Sequence, residues 1–414
     1  MINDMVVIDG VAHPYNWSMD NKLDHVPPET YQGLIEFVYK TGHEPVESLE
    51  PGYLMTIEEF ATKWDASDLA HALFVESDVD AVVAHGVEIS GYAKRGGFSY
   101  WPTCLELKKL APDRVYLYAP VDSFQPDLDA ILADMESAAE AGAVGFKFYP
   151  SNGLFDRATS RQVSMLFSDM DRAFPLFEKA RALGIRHIGV HKAQPVGPGP
   201  LDATRVDDVA TAAATFPDMT FEVVHAGWAF VEEIALQLMM HANVYANLEG
   251  TMALVVRQPT RFAHILGTLL KYARPEQIIY ASGCALSHPD PILRAFMAFE
   301  MPAALRDGFG YPEVTLETKR KILGENMARL LEIDIASLKN RIEDDEWSRR
   351  RAEGKAPPWS AARARRGTSH PNPAHSAGAS RKAPPSSAAR ARRGRSHPNP
   401  AHSVGASRSR RGER

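Results

Sequence analysis

Cysteine is nearly missing from this chain: Cys104 and Cys284 are the only two in 414 residues. Two thiols cannot staple a domain of this size. A disulfide scaffold is therefore excluded, and a reducing cytoplasm is the expected location. Long apolar runs are missing too, with nothing near the ~20 residues that cross a bilayer. The first ten residues, MINDMVVIDG, carry Asp4 and Asp9 but no basic residue, which argues against a secretory leader and a membrane partner. No G-x-G-x-x-G follows a strand-like run and no G-K-[ST] occurs, so a nucleotide cofactor is not expected. A G-x-S-x-G elbow is also lacking, which excludes the usual serine hydrolase. Cys284 and His288 lie four residues apart on a loop, too little to define a nucleophilic dyad.

Charge is abundant but divided. Residues 349–414 hold 17 Lys and Arg against two acidic residues, while residues 1–348 hold 29 basic and 50 acidic ones. The basic end is a tandem repeat: APPWSAARARRGTSHPNPAHSAGASRK at 356–382 and APPSSAARARRGRSHPNPAHSVGASRS at 383–409, differing at four positions. Pro, Ser, Ala, Arg and Gly dominate and Trp359 is the one aromatic, so 356–414 is expected to be disordered. His370, His375, His397 and His402 read as a solvated linker rather than a metal site. The arginines lack interleaved stacking aromatics, which argues against nucleic acid; folding back onto the acidic body is the alternative.

The body, 1–335, alternates short apolar β-branched runs with longer amphipathic ones. Strands are expected at Met5–Asp9, Asp80–His85, Val115–Pro120, Val144–Tyr149, His187–His191, Thr220–His225, Asn243–Leu248 and Gln277–Ser282. Helices are expected between them, as at Ile57–Phe74, Leu128–Ala141, Phe174–Leu183, Val206–Thr215, Phe230–His241 and Arg261–Tyr272, with a last one at Leu316–Leu331. Strict alternation implies a parallel sheet, and eight units suggest a closed (β/α)8 TIM barrel of the α/β class. Pro14–Thr56 is too long for an ordinary connection and is expected to form a lid or wall of the site. Residues 336–355 read as a C-terminal helix or linker.

Chemistry in such barrels sits at the C-terminal ends of the strands. His13, His191 and His225 end three of them, Lys147 and Tyr149 a fourth, Glu249 a fifth, and the eighth runs into Ser282-Gly283-Cys284. The three histidines converge only if the barrel closes. Tyr15, Trp17, Tyr149 and Trp228 flank these ends and suggest a pocket for a small, planar organic substrate.

The stretches IDGVAHP, GFKFYP, IGVHKA, FEVVHAG, IIYASGCALSHPDP and ILGENMARLL, which span about residues 5–333, resemble the amidohydrolase-related family that includes aminocarboxymuconate semialdehyde decarboxylase and γ-resorcylate-type decarboxylases. The resemblance implies a distorted (β/α)8 barrel, one divalent metal (zinc, with iron or manganese as alternatives), hydrolysis or nonoxidative decarboxylation, and a homo-oligomer. Residue by residue, His13 matches the second histidine of the first-strand D-x-H-x-H, but Val11 replaces the first. His191 matches the strand-five metal ligand and His225 the strand-six histidine that handles protons or polarises substrate. Strand eight usually ends G-S-D-x-P, and here Gly283 replaces the aspartate. Two imidazoles alone are a weak zinc site. Three groups offer themselves as completion: Cys284, which needs a bulge to face inward; Glu249, whose alternative role is a surface or capping glutamate; or His225 moving into the ligand set. Lys147 is expected to anchor a substrate carboxylate, with a salt bridge to Glu222 or Asp122 as the alternative. The HPYN-like opening also resembles that of some family members associated with binuclear-iron monooxygenase systems, which implies an accessory role as the alternative. A barrel that lost catalysis and serves as a binding or accessory protein is thus the rival to an enzyme with an altered ligand set.

Overall fold

A computed structural model describes residues 2–94, 96–156, 161–195 and 201–367. All eight expected strands are present: β1 (Ile8–Ala12), β2 (Ala81–His85), β3 (Val115–Val121), β4 (Gly145–Phe148), β5 (His187–His191), β6 (Thr220–Val224), β7 (Val244–Asn247) and β8 (Ile278–Ile279). They pair in chain order, every pair parallel. Helices cover the outer face, so runs such as AVVAH in β2 are buried at every residue instead of alternating.

β8 is only two residues long, and individual contacts close the seam between it and β1. Gly10 N donates to Tyr280 O (2.9 Å) and Gly283 N to Val11 O (3.1 Å). The buried Asp9 carboxylate accepts from Ser282 N (2.9 Å) and Ser282 Oγ (2.5 Å). The β1–β2 register shifts between Asp9 and Ala12, an irregularity of the kind that re-aims side chains beside a site. Val11, Val224 and Ala281 pack as a small apolar group of their own. Ile8, Ala81, Val83, Tyr118 and Ile279 form another against Met327 and Ala328 of the last helical stretch. The barrel interior is therefore filled by side chains.

Three expectations change. Ile57–Phe74 is two helices, Ile57–Phe60 and Ala66–Phe74, because Asp65 adopts an extended N-cap conformation and restarts the helix. The helix at 316–331 carries a wide turn at Lys321–Glu325 between Leu316–Arg320 and Asn326–Leu330. The third concerns the tail, whose first twelve residues are ordered: Ser360–Arg366 is a helix. Trp359, 1% exposed, supplies the apolar area that the repeat otherwise lacks, lying 5.3 Å from the Trp64 ring and 4.6 Å from His288. Glu76 accepts from Trp359 N (2.6 Å) and Ser360 N (2.7 Å), and Arg363 pairs with Glu59 at 3.1 Å. Residues 368–414, and the expectation of disorder for them, lie outside the described residues.

Upstream, Ile335–Ile342 and Glu346–Ala352 are helices, tied to the barrel by the buried Arg114, which pairs with Asp345. Pro14–Thr56 folds as Pro28–Val38, a wide turn at Tyr39–His43 and Glu44–Glu47, and lies over the C-terminal end of the barrel. No helix among the described residues is long and apolar enough to cross a membrane.

Candidate active site

The structure brings four of the candidate residues together: His13 just beyond β1, His191 at the end of β5, His225 just beyond β6 and Glu249 two residues past β7. They touch in sequence. His13 Nε2 lies 3.4 Å from Glu249 Oε1, Glu249 Oε2 lies 3.6 Å from His225 Nε2, and His225 Nε2 lies 2.9 Å from His191 Nδ1. All four are at least 92% buried.

The outer nitrogen of each imidazole faces a backbone carbonyl: His13 Nδ1 that of His85 (2.9 Å), His191 Nε2 that of Gln194 (2.8 Å), His225 Nδ1 that of Glu249 (3.1 Å). A carbonyl accepts only, so these nitrogens donate and the tautomers are fixed. Each inner nitrogen is then an acceptor facing another acceptor. Burial holds the His191 imidazole well below its usual range and His225 down to about 4. Burial alone would raise the Glu249 carboxyl, but the facing His225 and His13 hold it below the usual carboxylate range. Such a cluster of acceptors is stable only around positive charge, a proton or a metal ion.

Gly283 explains how Glu249 reaches this position. A Cβ at residue 283 would lie 3.0 Å from Glu249 Oε1 and 3.2 Å from Glu249 Cγ, and the backbone there has φ +71°. The carboxylate from β7 occupies the space in which a side chain from the end of β8 would stand. Val11, at the other substituted position, is fully buried against Val224 and Ala281. That corner of the site is apolar.

The donor types are those a divalent cation takes: three imidazoles oriented by carbonyls, as metal-bound histidines commonly are, and a carboxylate whose Oε2 has no hydrogen-bond partner. As they stand the groups form a chain rather than a shell, and among the described residues no three His, Cys, Asp or Glu side chains close on one point tightly enough to hold an ion. His191 Nδ1 and His225 Nε2 stand 2.9 Å apart, so a group held by His191 would have His225 beside it. Cys284 contributes its backbone, accepting from His13 N at 2.5 Å, while burial pushes its thiol well above its usual range, away from the thiolate that a metal needs.

Lys147 lies beneath the cluster. It is fully buried, and its Nζ has no hydrogen-bond partner, standing 5.4 Å over the Tyr149 ring. Burial lowers its ammonium to about 8 against the opposing pull of Glu249 and Glu222. Glu222 is committed elsewhere, accepting from Tyr118 OH (2.5 Å) and Asn247 Nδ2 (3.0 Å). Above the histidines opens a cavity of about 100 Å³ walled by Tyr15, Trp17, Tyr149 and Phe98 together with Leu34 and Val38 of the lid segment. Tyr149 stacks on His191 at 4.9 Å. Trp228 is not brought here: its ring faces Arg257 and Arg261. The sequence reading passed over His85, which is fully buried 5.9 Å from the His13 ring, with no hydrogen-bond partner at either ring nitrogen. It ends β2 as the other histidines end their strands, so the same criterion would have found it.

A family model described as amidohydrolase matches residues 100–333. Among solved structures, an uncharacterised TIM-barrel protein of Bordetella bronchiseptica is similar at 17% identity and TM-score 0.56, covering 80% of this chain and 99% of that one. A 4-oxalomesaconate hydratase of Rhodopseudomonas palustris is similar at 17% identity and TM-score 0.48, over 81% and 98%. A 5-carboxyvanillate decarboxylase of Novosphingobium aromaticivorans, solved with bound manganese, is similar at 11% identity and TM-score 0.48, over 80% and 97%. No curated protein sequence matches the chain.

Proposed function

Because the chain belongs to the amidohydrolase family, we propose that it is a metal-dependent hydrolase or nonoxidative decarboxylase of a small organic substrate whose missing strand-eight carboxylate is replaced by Glu249. One observation carries this reading: Glu249 Oε1 stands 3.0 Å from where a Cβ of residue 283 would be, so the carboxylate absent from one strand end is offered by its neighbour. His13, His191 and Glu249 would hold the ion, zinc, manganese or iron, with His225 beside it. A divalent ion bound there supplies Lewis-acid polarisation and an activated water.

The protein's own groups have the remaining roles. His225, with Nδ1 tied to a carbonyl, presents Nε2 to the reacting centre and can take or return a proton at that atom. Glu249 balances the positive charge. Lys147 keeps a buried positive charge beneath Tyr149, which steadies the Glu249 carboxylate and draws an anionic group toward the site. Tyr15 and Tyr149 bracket a planar substrate, and the lid segment excludes water from the cavity.

The test is manganese and zinc binding by titration calorimetry. Glu249→Gln should weaken binding at least tenfold. A Glu249→Ala/Gly283→Asp double variant, which moves the carboxylate back to strand eight, should recover much of the loss, since Asp tolerates a left-handed backbone better than most residues. Unchanged binding in Glu249→Gln would refute the assignment.

A further inference from the structure

One histidine of the barrel interior has no role so far. His85 ends β2, is fully buried, and has no hydrogen-bond partner at either ring nitrogen. Buried polar groups are normally paired, so two open nitrogens on one ring call for something to fill them. The strand register pairs Ala12 with Ala84, which sets His13 and His85 side by side on the inward face. Their backbones and rings are already linked, since His13 Nδ1 donates to His85 O (2.9 Å). From there the His85 ring crosses the interior. A Cβ on Gly189 of β5, two residues before His191 on the same face, would lie 3.7 Å from His85 Cε1. The ring therefore reaches from beside His13 to beneath His191.

A second observation concerns orientation. Burial, with the charges of Lys147 and His13, holds the His85 imidazole well below its usual range, against the pull of Glu249 and of the Gly10 carbonyl. The ring is thus neutral and keeps a nitrogen lone pair. The Gly10 carbonyl approaches it without completing a hydrogen bond. His13, His191 and His225 each turn one nitrogen to a carbonyl in the same way, the usual setting of metal-bound imidazoles. The two nitrogens of a ring point nearly opposite ways, so one toward Gly10 leaves the other directed inward. Lys147 Nζ shares this floor, fully buried and unpartnered. Its charge opposes a cation, and the carboxylates of Glu249 and Glu222 offset it.

We propose that His85 is a fourth protein ligand of the ion, closing the floor of the site between His13 and His191 where Val11 offers no donor. The inference rests on the functional reading above and deepens it. With ~2.0–2.1 Å from each nitrogen to the ion, imidazoles that share a metal stand roughly 5–6 Å apart centre to centre. The His13 and His85 rings stand 5.9 Å apart, a spacing that allows a shared ion. The two ligands that the family pattern expects at Val11 and Gly283 are then both supplied by adjacent strands, His85 from β2 and Glu249 from β7. An ion that expands beyond four ligands keeps a position open for water or substrate.

The test measures zinc affinity of the full-length protein by competition with a chelator, beside thermal melts of the metal-free forms. His85→Gln and His85→Phe should each weaken zinc at least tenfold. Neither should lower the melting temperature of the metal-free protein, because the lost nitrogens make no bond there. Zinc affinity within twofold of the unmodified protein in either variant would overturn the proposal, and would mean that solvent alone fills the ring. A loss of affinity seen only with an equal loss of metal-free stability would overturn it too, as the mark of a structural histidine. If His85→Phe does not fold, His85→Gln decides. Zinc lost in Glu249→Gln but kept in both His85 variants would overturn this inference alone, whereas no zinc in the unmodified protein would overturn it together with the metal reading.

Discussion

At the scale of single residues, the site depends on one exchange between strand ends. Gly283 has no side chain where the family pattern expects Asp, and Glu249 uses the vacated space. The three histidines were legible in the sequence because each ends a strand, and strand ends are where such barrels work. Glu249 was legible as one of three groups that could complete the site, but the choice among them was not, since it depends on a 3.0 Å approach between residues 34 positions apart. Trp17 was legible as an aromatic beside His13, but its unmatched N–H is a property of packing. Gly283→Ala tests the exchange directly. The added methyl meets the Glu249 carboxylate in a left-handed backbone, so it should lower unfolding free energy by about 1–3 kcal/mol and weaken metal binding together with it. Stability and metal affinity both unchanged would show that the glycine is incidental.

At the scale of elements, the lid segment and the first tail repeat hold each other in place. Trp359 Nε1 donates to Tyr53 O at 2.5 Å, Arg363 Nη2 to Leu54 O at 2.8 Å, and His43 joins the lid to the body, accepting from Met55 N (2.9 Å) and donating to Leu286 O (3.0 Å). Composition argued for disorder from residue 356 because Arg, Ala and Ser dominate. One tryptophan reversed that for residues 356–367 by filling a pocket that composition cannot reveal. Trp359→Ala should therefore destabilise the protein by about 3–5 kcal/mol, and truncation after residue 355 should destabilise it while truncation after 367 should not. Thermal melts of the three proteins check this.

The same contact makes the lid sensitive to acid. Burial lowers His43 to about 4 from 6.5. Its contribution is complete above pH 6.5 and is lost as pH falls through about 4, because the unfolded chain takes up the proton first. Glu76 is held at about 2: burial would raise it, and the bonds from His288, His71 and Ser360 lower it more. Its contribution is complete above about 4.5 and lost toward pH 2. Hydrogen exchange, corrected for the intrinsic rate, should thus accelerate in residues 43–60 between pH 6.5 and 5, and in 356–367 only below about pH 4.5. Uniform acceleration would contradict this.

At the scale of the whole molecule, the sequence pattern located all eight strands, with ends within three residues at nearly every boundary. Parallel strands buried on both faces are continuous apolar runs, the plainest signal a sequence offers. β8 was overcalled as Gln277–Ser282 where only Ile278–Ile279 pairs regularly, since seam contacts through Asp9 and Ser282 replace a ladder. The split at Asp65 was equally hidden, because an N-cap inside a helical pattern is a local choice that periodicity averages away.

The most direct test of the central claim, that a metal site was rebuilt around His13, His191 and Glu249, is elemental analysis by mass spectrometry of protein purified without an affinity tag or chelator. A His13→Ala/His191→Ala variant prepared identically serves as the control. The account predicts close to one equivalent of zinc, manganese or iron in the protein and its loss in the variant, with the fold retained by circular dichroism. Protein that carries no metal and takes none up from solutions of each ion would contradict it, and would favour a barrel that binds a partner rather than one that transforms a substrate.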